Sequence, residues 1–166
     1  PARVAVASPR SLGGASIVDT ALSPLTETEL LDRLARTDAV YVGETHDQDS
    51  HHQVQLAVLE GLLARRPNLV VGLEMVEAPD QPVLDQYLSG ALSDGDFKRF
   101  WERTWRFSYE LYRPILELCR AKGVPVKALN APRAVISRIA KVGLANLTPQ
   151  ERASLPASVA PIIAIV

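Results

Sequence analysis

The sequence predicts an α/β fold: a mostly parallel sheet flanked by helices, with a helical, aromatic-rich insertion over about 79–122. Three observations predict it. Three near-continuous apolar runs, Ala39 to Gly43, Asn68 to Met75 and Val124 to Asn130, each lead into helical sequence. Strands that are apolar on both faces belong to parallel sheets covered on both sides. Each run also finishes in, or next to, a polar group: Glu44, Glu74 and Asn130. Finally, seven of the nine aromatic residues fall between Phe97 and Tyr112, in a crossover longer than two parallel strands need.

At 166 residues the chain is expected to form a single domain over 1–166, large enough for a real core. Its first residues are broken by Pro9 and by Gly13-Gly14, with Ala15 to Asp19 as a possible short edge strand. Thr26 and Glu29 have capping-box spacing and precede an apolar face, which predicts a helix from Glu27 to Thr37. The run Ala39 to Gly43 is the first strand, and Tyr41 is expected to be buried in it. A helix then starts near Asp49 or Ser50 and runs to Ala64, with Val54, Leu56, Val58, Leu59, Leu62 and Leu63 supplying its apolar face. Asn68 to Met75 completes a βαβ unit, which is expected to be right-handed.

The insertion reads as three helices, from Asp80 to Leu88, Ser93 to Thr104 and Ser108 to Lys122, the last stopped by Gly123. Pro125 suits only the opening of the third strand. Pro132 starts a helix that ends at Gly143, and Thr148-Pro149-Gln150-Glu151 gives a second helix-start signature. Ile162 to Val166 reads as a further strand at which the sequence stops, so C-terminal truncation is expected. The absence of an initial methionine points to a mature or trimmed form, with any signal peptide or anchor out of view.

Composition excludes several classes. The net charge of −1, from 18 basic and 19 acidic residues, gives no footprint for nucleic acid or an anionic membrane. No apolar run approaches the roughly 20 residues that span a bilayer. The single cysteine, Cys119, rules out an internal disulfide and sits on the apolar side of its helix. There is no glycine-rich phosphate loop and no nucleophile elbow, which disfavours an NTPase or a serine hydrolase.

The chemistry is expected at the C-terminal edge of the sheet, where open α/β sheets bind ligands. Glu44 and His46 are two apart and share a face. Glu74 and Asn130 are expected to stand close by on neighbouring strand ends, forming one cluster. An imidazole among carboxylates can hold a divalent metal, with His46 and Glu74 as ligands, or act as acid and base. His51 and His52 open the next helix about 100° apart, so only one of them can reach over the edge. Arg133, at a helix start, can hold an anionic group. The Phe97–Tyr112 segment can furnish a flat apolar wall as well as core.

Val42-Gly43-Glu44-Thr45-His46-Asp47, Gly72-Leu73-Glu74-Met75 and Leu129-Asn130-Ala131-Pro132-Arg133 together resemble the ChaN-like haem-binding family of bacterial iron-uptake proteins. The stretch Gln81 to Gly90 and the run Trp101, Trp105, Tyr112 and Pro114 are similar as well, so the likeness covers about Val18 to Arg152. The family resembles the Tiki, TraB and erythromycin-esterase group, in which a G-x-x-H sequence and a later glutamate serve a hydrolytic or metal site. Gly43, His46 and Glu74 match that pattern.

The resemblance implies haem as the cofactor, often bound at a homodimer interface where two haems stack. It also implies a tyrosine as iron ligand and a histidine near the propionates. Tyr109 and Tyr112 are the candidate ligands; His46, His51, Asn130 and Arg133 are the other candidate haem contacts. A lipoprotein-like place in the cell envelope and a longer parent chain are further implications. The alternative is a metal-dependent hydrolase in which His46, Glu44 and Glu74 hold a divalent ion or activate water.

Overall fold

The computed structural model describes residues 12, 13 and 15–155, together with the backbone of 163–165. The first helix, α1 (Glu27–Leu34), is held by the capping box read from the sequence. The Thr26 side chain accepts from the Glu29 backbone N–H, and the Glu29 carboxylate accepts from the Thr26 backbone N–H. It ends three residues earlier than expected. Arg36 and Thr37 bond back to Arg33 and Leu34, so the last turn tightens and the helix closes. Of the expected edge strand at 15–19, the structure retains an isolated bridge between Val18 and Pro24.

Strand β1 is short (Tyr41–Val42) and leads into α2 (Asp49–Leu63). Helix α2 buries Leu56, Ala57, Val58, Leu59 and Leu62 on its inner side. It approaches α1 so closely that a Cβ on Gly61 would meet a Leu31 methyl at 2.5 Å. Strand β2 (Val71–Glu77) runs two residues past the expected Met75. Its pairing with β3 (Val126–Asn130) explains the extension. Leu73 faces Ala128, but the next matched pair is Glu77 with Asn130, so β2 carries extra residues and bulges between them. Met75 and Val76 are both buried in that bulge, and Glu74 stands at its start.

A 3-10 turn at Ala78–Asp80 opens the insertion. Helices α3 (Gln81–Ser89), α4 (Asp94–Thr104) and α5 (Tyr109–Lys122) follow within a residue of their expected bounds. Gly90 and Gly123 end α3 and α5 with positive φ, which costs glycine nothing sterically. Tyr87, Phe97, Trp101, Tyr109 and Tyr112 are almost wholly buried and pack with Leu84, Ile115 and Leu116 into the same core as β2 and α2. The insertion is therefore core first, and only its margin reaches a surface. Helix α6 (Arg133–Val142) and the short α7 (Pro149–Ala153) complete the helices, α7 held by the second capping box at Thr148 and Glu151.

Strand β4 (Ile163–Ile165) falls within the expected tail strand; Ile162 and Val166 lie outside the described residues. The sheet order is β1-β4-β2-β3, and each neighbouring pair is parallel. The fold class is as the sequence predicts, but adjacency is not. The tail strand lies between β1 and β2, so the first two strands are not neighbours. At the edge of the sheet that the described residues form, β1 leaves Tyr41 68% exposed rather than buried.

Candidate functional site

Past β1 the chain turns through Gly43 to Glu44, whose side chain is completely buried. Gly43 has neither a positive φ nor a close neighbour: a Cβ there would meet nothing within 4 Å. The space beside it is open. Glu44 Oε1 accepts from the Tyr112 hydroxyl at 2.9 Å and pairs with His46 Nδ1. Glu44 Oε2 has no hydrogen-bond partner and lies 3.7 Å from His52 Nε2. A buried acceptor left unmatched costs about 1–3 kcal/mol, which marks Oε2 as a place where the fold has given up stability.

His52 is the residue that sequence reasoning missed. It is 3% exposed, with Nδ1 3.1 Å from Gln55 Oε1 and Nε2 3.2 Å from the His46 carbonyl. Gln55 Nε2 donates to the Val42 carbonyl at the end of β1, which turns its amide oxygen toward His52. Together they tie α2 to the strand end and support Glu44 from below. The signal in the sequence is a histidine and a glutamine three apart on the buried face of an otherwise apolar helix. His51 points the other way: it is exposed, and its Nδ1 accepts from the Thr45 backbone N–H at 2.8 Å. It therefore anchors the loop.

The His46 side chain is 34% exposed. Its ring lies between Trp105, edge-on at 5.0 Å, and Phe107 at 4.7 Å. Trp105 Nε1 donates to the Tyr112 hydroxyl at 3.4 Å. The aromatic wall expected of the insertion is thus made at its margin by Trp105 and Phe107. Tyr112 sits behind the wall, 1% exposed and packed on His52. Burial pushes its phenol well above the ordinary range, and the hydrogen bond to Glu44 and the charges of Glu44 and Glu74 push the same way against the Trp105 bond. Tyr109 is in a different cluster. Its hydroxyl donates to Asp94 at 2.7 Å and lies 2.9 Å from the Tyr87 hydroxyl. Burial, then those two bonds, raise its pKa strongly.

The other expected residues are spread across the sheet. Glu74, half-buried on β2, is two strand positions from β1, about 10 Å. It acts on Tyr112 through space and makes no bond to His46. Asn130 ends β3 at the opposite edge, roughly 14 Å from β1 by the same spacing, and not close by as expected. Arg133 opens α6 beside it. Its backbone N–H donates to Glu77 at 3.1 Å, and its exposed guanidinium has no ion-pair partner among the described residues. Because β4 separates β1 from β2, the single cluster resolves into a tight group, Glu44, His46, His52 and Tyr112, and a second polar group across the sheet edge. Among the described residues no three His, Cys, Asp or Glu are arranged to hold a metal ion. The divalent ion expected on His46 and Glu74 therefore has no ligand set there.

Comparisons with known proteins agree with this architecture. A family described as "Haem-binding uptake, Tiki superfamily, ChaN" matches residues 30–163. No curated protein sequence matches. Among solved structures, the chain is similar to ChaN of Campylobacter jejuni, described with cofacial haem binding. The TM-score is 0.70 at 15% identity, over 91% of this chain and 78% of that one. It is also similar to an erythromycin esterase mutant in its open conformation, with a TM-score of 0.53 at 21% identity. That likeness covers 76% of this chain and 34% of the esterase. At these identities the two likenesses concern the fold.

Proposed function

The chain belongs to the haem-binding uptake, Tiki superfamily, ChaN family, and on that premise we propose that it is a haem-binding protein of bacterial iron and haem uptake. One observation carries the reading: a half-exposed imidazole set in an aromatic wall and backed by a buried carboxylate. A flat apolar ring with an iron centre calls for a wall of that kind and a nitrogen or oxygen donor. The residues fit the group. Glu44 Oε2 is an orphaned buried oxygen beside the donor, and Gly43 leaves the approach open.

His46, Trp105 and Phe107 would hold the ring side, and the exposed Arg133 guanidinium at the start of α6 would meet a propionate. Bound haem would supply an iron centre able to take an axial ligand. The protein's own part is to orient His46, keep water from the inner face and offset the ligand's carboxylates. A homodimer, in which two such open faces meet, and a place in the cell envelope belong to the same proposal. No helix among the described residues is long and apolar enough to cross a membrane.

Titration with haemin, followed by absorbance, tests the reading. Saturable growth of a Soret band at micromolar haemin is expected, with the sedimentation coefficient rising as two chains associate. A linear, non-saturating response would remove the proposal.

The hydrolase reading keeps one observation, the Glu44–His46 pair, which orients an imidazole as a general base with no need of a metal. Ester hydrolysis abolished in His46→Ala would favour it.

A further inference from the structure

The rings between the aromatic wall and Asp94 stand in an order that a core does not require. Trp105 flanks the His46 ring at the margin of the insertion, and its Nε1 donates to the Tyr112 hydroxyl at 3.4 Å. The Tyr112 ring meets Trp101 at 4.9 Å between centroids, and Trp101 meets Tyr109 at 5.9 Å. The Tyr109 hydroxyl lies 2.9 Å from that of Tyr87 and donates to Asp94 at 2.7 Å. Every ring on this line is an indole or a phenol, the aromatic side chains that give up an electron most readily. Phe97 packs beside the line, against Trp101 and Tyr109, and is not a link in it.

We propose that Trp105, Tyr112, Trp101 and Tyr109 form a relay that carries oxidising equivalents from the wall to the Tyr109–Tyr87 pair at Asp94. The relay rests on the haem-binding reading and adds an activity to it: peroxide that meets bound haem is reduced at the expense of phenols remote from the ligand.

A phenol loses an electron easily only when its proton leaves at the same time. Burial raises the pKa of Tyr109 and Tyr112, so both hold their protons at rest. Each has a carboxyl oxygen placed to take the proton: Glu44 for Tyr112, Asp94 for Tyr109. The two acceptors differ. The Glu44 side chain is wholly buried, so a proton passed to it stays beside Tyr112 and returns. The Asp94 side chain is 42% exposed and passes the proton on to water. Oxidation at Tyr112 is thus reversible, and Trp101, which touches both phenols, draws it on to Tyr109.

Two phenols stand at the end of the line, since the Tyr87 hydroxyl also reaches Asp94 at 3.3 Å. That number suits the chemistry. Hydrogen peroxide and two phenols give two waters and two phenoxyl radicals, each phenol supplying one electron and one proton. The O–O bond and both phenolic O–H bonds break, and two O–H bonds form in water. A small one-electron reductant such as ascorbate then restores the phenols.

The first test uses the protein without haem. A laser flash ionises tryptophan, and transient absorption follows the tryptophan and tyrosyl radicals. In the unsubstituted protein the tyrosyl band should grow as the tryptophan band decays, more slowly in heavy water because the proton moves with the electron. Joint Tyr87→Phe and Tyr109→Phe substitution should cut the long-lived tyrosyl yield several-fold. Asp94→Asn, a surface change that serves if the double variant fails to fold, should shorten the radical's lifetime several-fold. A tyrosyl yield and lifetime untouched by these changes would overturn the relay and leave the rings as core alone.

The second test adds haemin and then hydrogen peroxide, with electron paramagnetic resonance of frozen samples after growth on ring-deuterated tyrosine. A radical signal narrowed by the label is expected. The double variant should bind haemin as the parent does, lose that signal and bleach its Soret band several-fold faster. A signal insensitive to the label, or equal bleaching in parent and variant, would overturn the role against peroxide. No saturable haemin response beside a positive flash experiment would remove the haem reading and leave the relay standing.

Discussion

Two clusters in this molecule are built from the same parts and put together in opposite ways. In the insertion, Tyr87 and Tyr109 lie inside and share Asp94, whose side chain remains 42% exposed. The charge stands at the surface, where Arg113 comes within 3.9 Å of it, and each phenol has a partner. At the strand end the carboxylate is inside. The Glu44 side chain is wholly buried with one oxygen unmatched, and the other oxygen meets a half-exposed imidazole and the Tyr112 hydroxyl. The first arrangement stabilises, because polar groups are satisfied and charge stays in water. The second leaves a buried acceptor unmatched, at a cost of about 1–3 kcal/mol.

The contrast can be broken most severely at Trp101, which is 0% exposed and touches both clusters through Tyr109 and Tyr112. Trp101→Ala should cost about 3–5 kcal/mol in denaturant unfolding and should damage haemin binding as well. A loss under 1 kcal/mol, on the order of a surface change, would show that the insertion is not core. Tyr112→Phe comes next. Removing the donor from a buried carboxyl oxygen should cost about 1–3 kcal/mol, and the Soret band of the haemin-loaded protein should weaken because Tyr112 backs the Glu44–His46 pair. An unchanged band would detach Tyr112 from the site.

Tyr109→Phe should be milder, about 0.5–1.5 kcal/mol, because water can replace its bond to Asp94. Its haemin titration should match that of the parent, and a matching loss in both tyrosine variants would erase the distinction between the clusters. Alkali sharpens the same point. Burial raises the pKa of Tyr109 and Tyr112 above the ordinary 10.0, so the folded state holds these protons more tightly than the unfolded chain. Their contribution is fully present below the unfolded pKa and is lost as pH rises through about 10 and above. Unfolding curves from neutral to strongly alkaline pH should show this fall, reduced in each phenylalanine variant. The smallest effect is chemical: Cys119 should resist alkylation in the native state and react on unfolding, its thiol being buried and its pKa raised to about 12.

Local rules carried the sequence reading far along the chain. Both capping boxes form as read, and the three insertion helices end where Gly90, Trp105 and Gly123 stop them. The Glu44–His46 pair was legible because residues two apart past a strand share a face. What was not legible is tertiary. Nothing local says that 163–165 enters between β1 and β2, which moves Glu74, Asn130 and Arg133 one strand spacing farther from β1. The β2 bulge is a matter of pairing with β3, so Glu74 was read as a strand end when the strand continues to Glu77. Tyr109 and Tyr112, three apart on α5, share a helical face; which of them meets Glu44 depends on the packing of α5 against α2.

The place of β4 in the sheet also has a consequence for the order of events as the chain emerges during synthesis. Among the described residues, strand β1 pairs with β4 alone: Tyr41 faces Ala164 and Val42 faces Ile165, far along the chain. A contact so distant along the sequence is slow to close, because loop entropy must be overcome first. Until residues 163–165 have left the ribosome, the strand that leads to Glu44 lacks the strand partner it has among the described residues. A site built at the end of β1 is therefore completed late, after β4 has been made.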